Sequence, residues 1–215
     1  MKQYVMIFPG QGAQYVGMAK DFYEQFDLAK QVFEEAADIV SFNVADLVFN
    51  SDAEELSLTK NSQLGIYVAS MAILRVIEKD FGLNTPMVAA GLSLGEYSAL
   101  TAANKIKFAD CLTLVRARGL YMHEASLEEQ GTMAAVLGLE EEAVSSALKG
   151  LPVYVANLNC MGQVVISGKK EFFPAATEQL KQAGAKRVIP LDVSGAFHTD
   201  LMDSAKIRLE PKILQ

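Results

Sequence analysis

The sequence predicts an α/β fold in which a small β-α-β-β-α-β subdomain is inserted into a larger α/β domain. Three observations carry this. A short apolar run, "QYVMIF" (3–8), ends in the turn "PGQG", as a strand followed by a tight turn does. A second apolar run, "PMVAAGLS" (86–93), passes directly into helical spacing. Residues 129–192 then alternate strand-like and helix-like patterns in the order of a ferredoxin-like unit.

The elements follow in chain order. Leu28, Val32, Phe33, Ala36 and Ile39 recur at helical spacing, so a helix runs to about Val40 with Asp27 as its N-cap. Thr59 is placed to cap a longer helix over about 60–79 that ends near Gly82. Residues 86–93 read as a buried strand, and 94–103 and 108–128 as helices. Within the insert, "GTMAAVLGL" (131–139) is a strand and "EEEAVSSALKG" a helix. "PVYVANL" and "QVVISG" are two strands joined by a turn. "KEFFPAATEQLKQAG" is a helix with Pro174 in its first turn, and "KRVIPLDV" is the last strand. The expected division is 1–128 with 193–215 for the large domain and 129–192 for the insert.

Composition narrows the function. The chain has 215 residues, 51% of them hydrophobic, which is material for a sizeable core. No apolar run approaches the roughly 20 residues of a membrane span. The N-terminal run is too short for a secretory signal and lacks its cleavage site, so a cytoplasmic protein is expected. Cys111 and Cys160 give neither a disulfide framework nor metal-ligand spacing. A net charge of −7 argues against nucleic acid as a partner. An anionic partner would therefore need a local basic patch. Lys169, Lys170, Lys181, Lys186 and Arg187 are available for one, although a solvated surface is the ordinary use of such residues.

The chemistry centres on "GLSLGEYSAL" (91–100). Gly91-Leu92-Ser93-Leu94-Gly95 fits G-x-S-x-G between a strand and a helix, the context of a nucleophile elbow. The tight turn favours glycine on both sides and lifts the Ser93 hydroxyl to a helix N-terminus, where amides can stabilise an oxyanion. A plain capping serine is the alternative.

A serine nucleophile needs a base. His123 lies among polar neighbours in a helix. His198, in "SGAFHTDLM", lies just past a strand and follows Ser93 in chain order, so it is the preferred base. Asp192, Asp200 and Asp203 are near it in sequence, but spacing assigns none of them as its partner. Cys111, Val115, Arg118, Met122 and Ala125 form one apolar stripe, which puts a cation on a buried face. Arg116 points roughly 200° around the helix. Arg118 therefore needs an anion, either a structural carboxylate or a substrate carboxylate held bidentately.

Five segments together resemble the malonyl-CoA:acyl carrier protein transacylases of fatty acid synthesis. They are "FPGQGAQYVGM" (8–18), "GLSLGEYSAL", "RGLYM" (118–122), "NCMGQVVISG" (159–168) and "AGAKRVIPLDVSGAFH" (183–198). The resemblance implies an α/β-hydrolase-like large domain with a ferredoxin-like insert. It implies Ser93 as the nucleophile, His198 as general base and then acid, and Arg118 as partner of the malonyl carboxylate. It further implies an oxyanion hole from the amides of Gln11 and Leu94, and polar lining by Gln63 and Asn159. Phe197 matches the form found in malonyl-selective members. Malonyl-CoA and acyl carrier protein are the implied partners, with no cofactor and no metal. Three departures are visible: Leu92 stands where the family usually has histidine, "NCMGQ" replaces Asn-Ser-Pro-Gly-Gln, and family members continue well past "LEPKILQ". On that last ground a C-terminal part of the large domain is expected to be missing. A serine esterase or thioesterase sharing the elbow, and a non-catalytic remnant that binds a partner, are the alternative functions.

Overall fold

The computed structural model describes residues 4–83 and 86–214; Gln3 of the first expected strand lies outside them. The chain forms two compact units, Met1–Leu120 and Tyr121–Gln215.

The first unit begins with β1 (Val5–Phe8) and continues through α1 (Lys20–Gln25), α2 (Asp27–Val40), α3 (Val44–Asn50), α4 (Ala53–Ser57) and α5 (Thr59–Asp80). It then holds β2 (Val88–Gly91), α6 (Leu94–Ala102) and the first part of α7 (Phe108–Glu128). α1, α3 and α4 have no counterpart in the sequence reading. Each has seven residues or fewer, too few to establish a 3.6-residue period. Side chains start two of them: Asn43 Oδ1 accepts from the Asp46 amide at 3.0 Å, and Asp52 Oδ1 from the Glu55 amide at 2.7 Å.

Two expected caps shift by one residue. Asp27 is the first residue of α2 rather than its cap, which is Phe26, and its carboxylate sits in the positive first turn. Thr59 likewise opens α5, with Leu58 as the cap. α2 turns Ala29, Val32, Phe33, Ala36 and Val40 into the core, where α5 contributes Leu64, Val68, Met71 and Ala72. Tyr67 of α5 is fully buried; its ring stacks on Phe108 and its hydroxyl lies 3.0 Å from Thr101 Oγ1.

β1 and β2 pair in parallel, from Val5 opposite Val88 to Phe8 opposite Gly91. The expectation of a buried second strand is not met. Met6, Phe8 and Ala89 face the core, but Val88 is 47% exposed and Ile7 on its partner strand is 79% exposed. Alternation puts successive side chains on opposite faces, and among the described residues only one face of this pair is covered.

The second unit contains β3 (Gly131–Leu137), α8 (Glu141–Ala147), β4 (Val153–Cys160), β5 (Gln163–Lys169), α9 (Phe173–Gln182), β6 (Arg187–Pro190) and α10 (Asp203–Ile213). Short 3₁₀ turns at Lys170–Phe172 and Asp200–Met202 precede α9 and α10. The sheet is antiparallel throughout, in the order β4-β5-β3-β6. Val136, Val164 and Ile166 face Val144 of α8 and Ala176 and Leu180 of α9. Met133 and Val165 point to the opposite face and pack with Met122, Ala125, Phe197 and Met202. Pro174 lies in the first turn of α9, as expected. β6 stops at Pro190, short of the expected Val193; an edge position tolerates a proline that has no amide to give.

Candidate functional site

Three of the expected site residues meet in the first unit. Ser93 leaves β2 at φ 53°, ψ −97°, a sparsely populated backbone state for a residue with a side chain. The flanking glycines make this turn possible. A Cβ on Gly91 would lie 2.0 Å from the Gly95 carbonyl carbon, and one on Gly95 would lie 2.4 Å from the Phe8 carbonyl oxygen. Gly10 of the "PGQG" turn approaches equally closely, its would-be Cβ lying 2.5 Å from the Leu92 oxygen. The turn after β1 and the elbow after β2 are thus packed backbone against backbone.

Ser93 makes no side-chain cap on α6, so the capping alternative does not describe it. Its Oγ accepts a hydrogen bond from Arg118 Nη2 at 2.9 Å. Arg118 Nη1 donates to Oε1 of the fully buried Gln63. The guanidinium also lies over the ring of Tyr97, 5.5 Å from its centroid. The apolar stripe of α7 is as expected, with Cys111, Val115, Met122 and Ala125 all buried. Among the described residues, no carboxylate lies within salt-bridge distance of Arg118. Burial pulls the Arg118 pKa down, while Tyr97 and Glu96 oppose that shift.

Leu94 is the first residue of α6, where an amide has no intrahelical acceptor. Gln11, in the loop after β1, donates from Nε2 to Thr59 Oγ1 at 3.3 Å. Arg116 does different work: it donates to the Val40 carbonyl at the end of α2 and stacks on Phe42.

The remaining expected residues belong to the second unit. Phe197 is buried in the cluster with Met122 and Met133. His198 follows it, exposed, at φ 61°. The cap of the next helical turn is Thr199, whose Oγ1 accepts from the Leu201 amide at 3.3 Å. Asn159 is exposed on β4 and donates to Gln163 Oε1 at 3.3 Å. Beside it, Met161 (91% exposed) and Gly162 (φ 71°) form the turn between β4 and β5. Of the expected basic patch, Lys169 pairs with Glu129 at 2.9 Å, and Lys170, Lys181, Lys186 and Arg187 are exposed.

Residues 5–214 match the family described as the acyl transferase domain. The chain belongs to that family. This acyl transferase is 45% identical over 215 residues to the malonyl CoA-acyl carrier protein transacylase of Bacillus subtilis (strain 168), covering 98% of this chain and 67% of that protein. It is 42% identical to the Haemophilus influenzae protein of the same name, covering 97% and 68%. Among solved structures, an acyl carrier protein S-malonyltransferase from Vibrio cholerae superposes with a TM-score of 0.90 at 40% identity, covering 99% of this chain and 71% of that one. The malonyl CoA-acyl carrier protein transacylase of Coxiella burnetii gives 0.93 at 36%, covering 100% and 69%.

Tyr97 and Thr59 are site neighbours that the sequence reading did not single out. The signal for Tyr97 was present: it stands four residues after Ser93, in the first turns of the helix that the elbow opens. No helix of the acyl transferase among the described residues is long and apolar enough to cross a membrane.

Proposed function

We propose that this acyl transferase moves a malonyl group from malonyl-CoA to the phosphopantetheine thiol of acyl carrier protein in fatty acid synthesis. The observation that carries this is the Arg118 guanidinium at Ser93 Oγ, held by Gln63 and, among the described residues, with no carboxylate within salt-bridge distance. A malonyl group has its carboxylate one methylene from the reacting carbonyl. A cation beside the nucleophile is therefore matched to it, and a neutral acetyl group leaves that cation unpaired.

In the reaction, Ser93 Oγ attacks the thioester carbonyl and its proton passes to His198. The carbonyl oxygen gathers charge opposite the amides of Gln11 and Leu94. The C–S bond breaks, and coenzyme A leaves as a thiol with the proton from His198. The carrier thiol then gives its proton to His198 and attacks the seryl ester; the ester C–O bond breaks and His198 returns the proton to Ser93 Oγ. Arg118 keeps the carboxylate fixed through both halves, Phe197 shapes the malonyl-selective site and Asn159 adds polar lining. Coenzyme A enters as a substrate; no cofactor or metal takes part.

In the same reading the large domain is α/β-hydrolase-like, comprising 1–128 and 193–215, and 129–192 is a ferredoxin-like insert. The antiparallel order β4-β5-β3-β6 supports the second assignment. The protein works in the cytoplasm. Intact mass after brief mixing with malonyl-CoA tests the function. One malonyl adduct should form, be absent in Ser93→Ala and be discharged by acyl carrier protein. Arg118→Ala should cut malonyl transfer by about a hundredfold or more, the scale of a lost desolvated charge pair, with a much smaller effect on acetyl transfer. An adduct discharged by water as fast as by carrier protein would instead make the protein a thioesterase.

A further inference from the structure

Resting on the assignment of Arg118 to the substrate carboxylate, we propose that the aromatic face of Tyr97 positions the Arg118 guanidinium and thereby sets malonyl-over-acetyl selectivity. Two hydrogen bonds, from Nη1 to Gln63 and from Nη2 to Ser93, constrain only the edge of the guanidinium plane. Neither prevents the plane from tilting about that edge. The Tyr97 ring closes this freedom, because the guanidinium carbon lies over it at 5.5 Å, within the range of an energetically useful cation–π contact.

The ring is itself well anchored. Its backbone carbonyl accepts from Thr101 Oγ1 at 3.0 Å and from Cys111 Sγ at 3.5 Å, which ties α6 to α7. The ring packs on the hydrophobic core of the first unit. The chemistry of the surroundings matters as much as the geometry. Gln63, Ser93 and Tyr97 all stabilise a cation through dipoles and a quadrupole, and none cancels its charge. An Asp or Glu in place of Tyr97 would hold the guanidinium equally firmly but would neutralise it. Tyr97 leaves the full charge for an incoming carboxylate.

The test compares rates of Ser93 acylation by malonyl-CoA and acetyl-CoA, read by intact mass, in Tyr97→Phe, Tyr97→Leu and Tyr97→Met. Tyr97→Phe should keep the malonyl-to-acetyl ratio within about threefold. Tyr97→Leu and Tyr97→Met should lower it by about tenfold, the size of one desolvated cation–π contact, with a much smaller effect on acetyl transfer. Replacing residue 97 with pentafluorophenylalanine keeps the shape of the ring and empties its negative face, so the ratio should fall as in Tyr97→Leu even if the aliphatic variants fold poorly. A ratio unmoved by fluorination, or malonyl and acetyl rates falling together, would overturn the role of the ring. A loss in Tyr97→Phe as large as in Tyr97→Leu would overturn it in favour of the hydroxyl. Arg118→Ala run alongside separates the two levels. If it lowers both substrates equally, the carboxylate assignment of Arg118 has failed. If it is selective and the Tyr97 series is not, only the role of Tyr97 has failed.

Discussion

Gly91→Ala is the most direct test of the elbow geometry. The added methyl would meet the Gly95 carbonyl carbon at 2.0 Å, its oxygen at 2.1 Å and the Glu96 nitrogen at 2.5 Å. All three are backbone atoms in the first turn of α6, so no side chain can rotate away. Ordinary overpacking costs about 1–3 kcal/mol when neighbours can shift, so a clash against fixed backbone belongs at or above the top of that range, about 3 kcal/mol. For a chain of this size that corresponds to a melting-temperature loss of roughly 6–12 °C. The strained Ser93 conformation is held by this same packing, so acylation should fall further than stability does. The assay pairs thermal unfolding with the rate of the malonyl adduct. Gly12→Ala is the control, since Gly12 has positive φ and open space around it. Its backbone strain should cost about 1–2 kcal/mol with no steric clash added. A Gly91→Ala protein that melts within 2 °C of the parent and acylates normally would refute the close approach of β2 and α6.

Two further outcomes are expected. Arg116→Ala removes a hydrogen bond to the last turn of α2 and a cation–π contact with Phe42, so it should cost about 1–2 kcal/mol in unfolding experiments while leaving the malonyl-to-acetyl ratio unchanged. Glu78 has its carboxyl pKa raised chiefly by burial, with Arg75 opposing. A carboxyl raised in the folded state makes stability fall as pH rises from the unfolded pKa through the folded one. Glu78→Gln should therefore raise the melting temperature at neutral pH, and the gain should vanish at pH values below the unfolded carboxylate range. A gain that persists in acid would point to a cause other than ionisation.

Some of this architecture was legible because it is local. The glycines of "GLSLGEYSAL" announce a backbone too tight for side chains, and the turn and its strained serine lie where they do. The stripe through Cys111, Val115 and Met122 located Arg118 on the covered face of α7, because helical period alone determines which residues share a face. Residues 129–192 disclosed their order of elements, since strand and helix periods differ. Only the tertiary structure decided the rest. Nothing in the spacing of Arg118 chose between a structural carboxylate and an unneutralised charge. That depended on Gln63, 55 residues away, and on the Tyr97 ring, which arrive from other helices. The exposure of β2 was equally hidden, because an apolar strand cannot show in its own sequence which of its faces its neighbours will cover. Sequence determines what each segment offers on each face. Folding determines which offers meet, and the charge environment beside Ser93 is a property of that meeting.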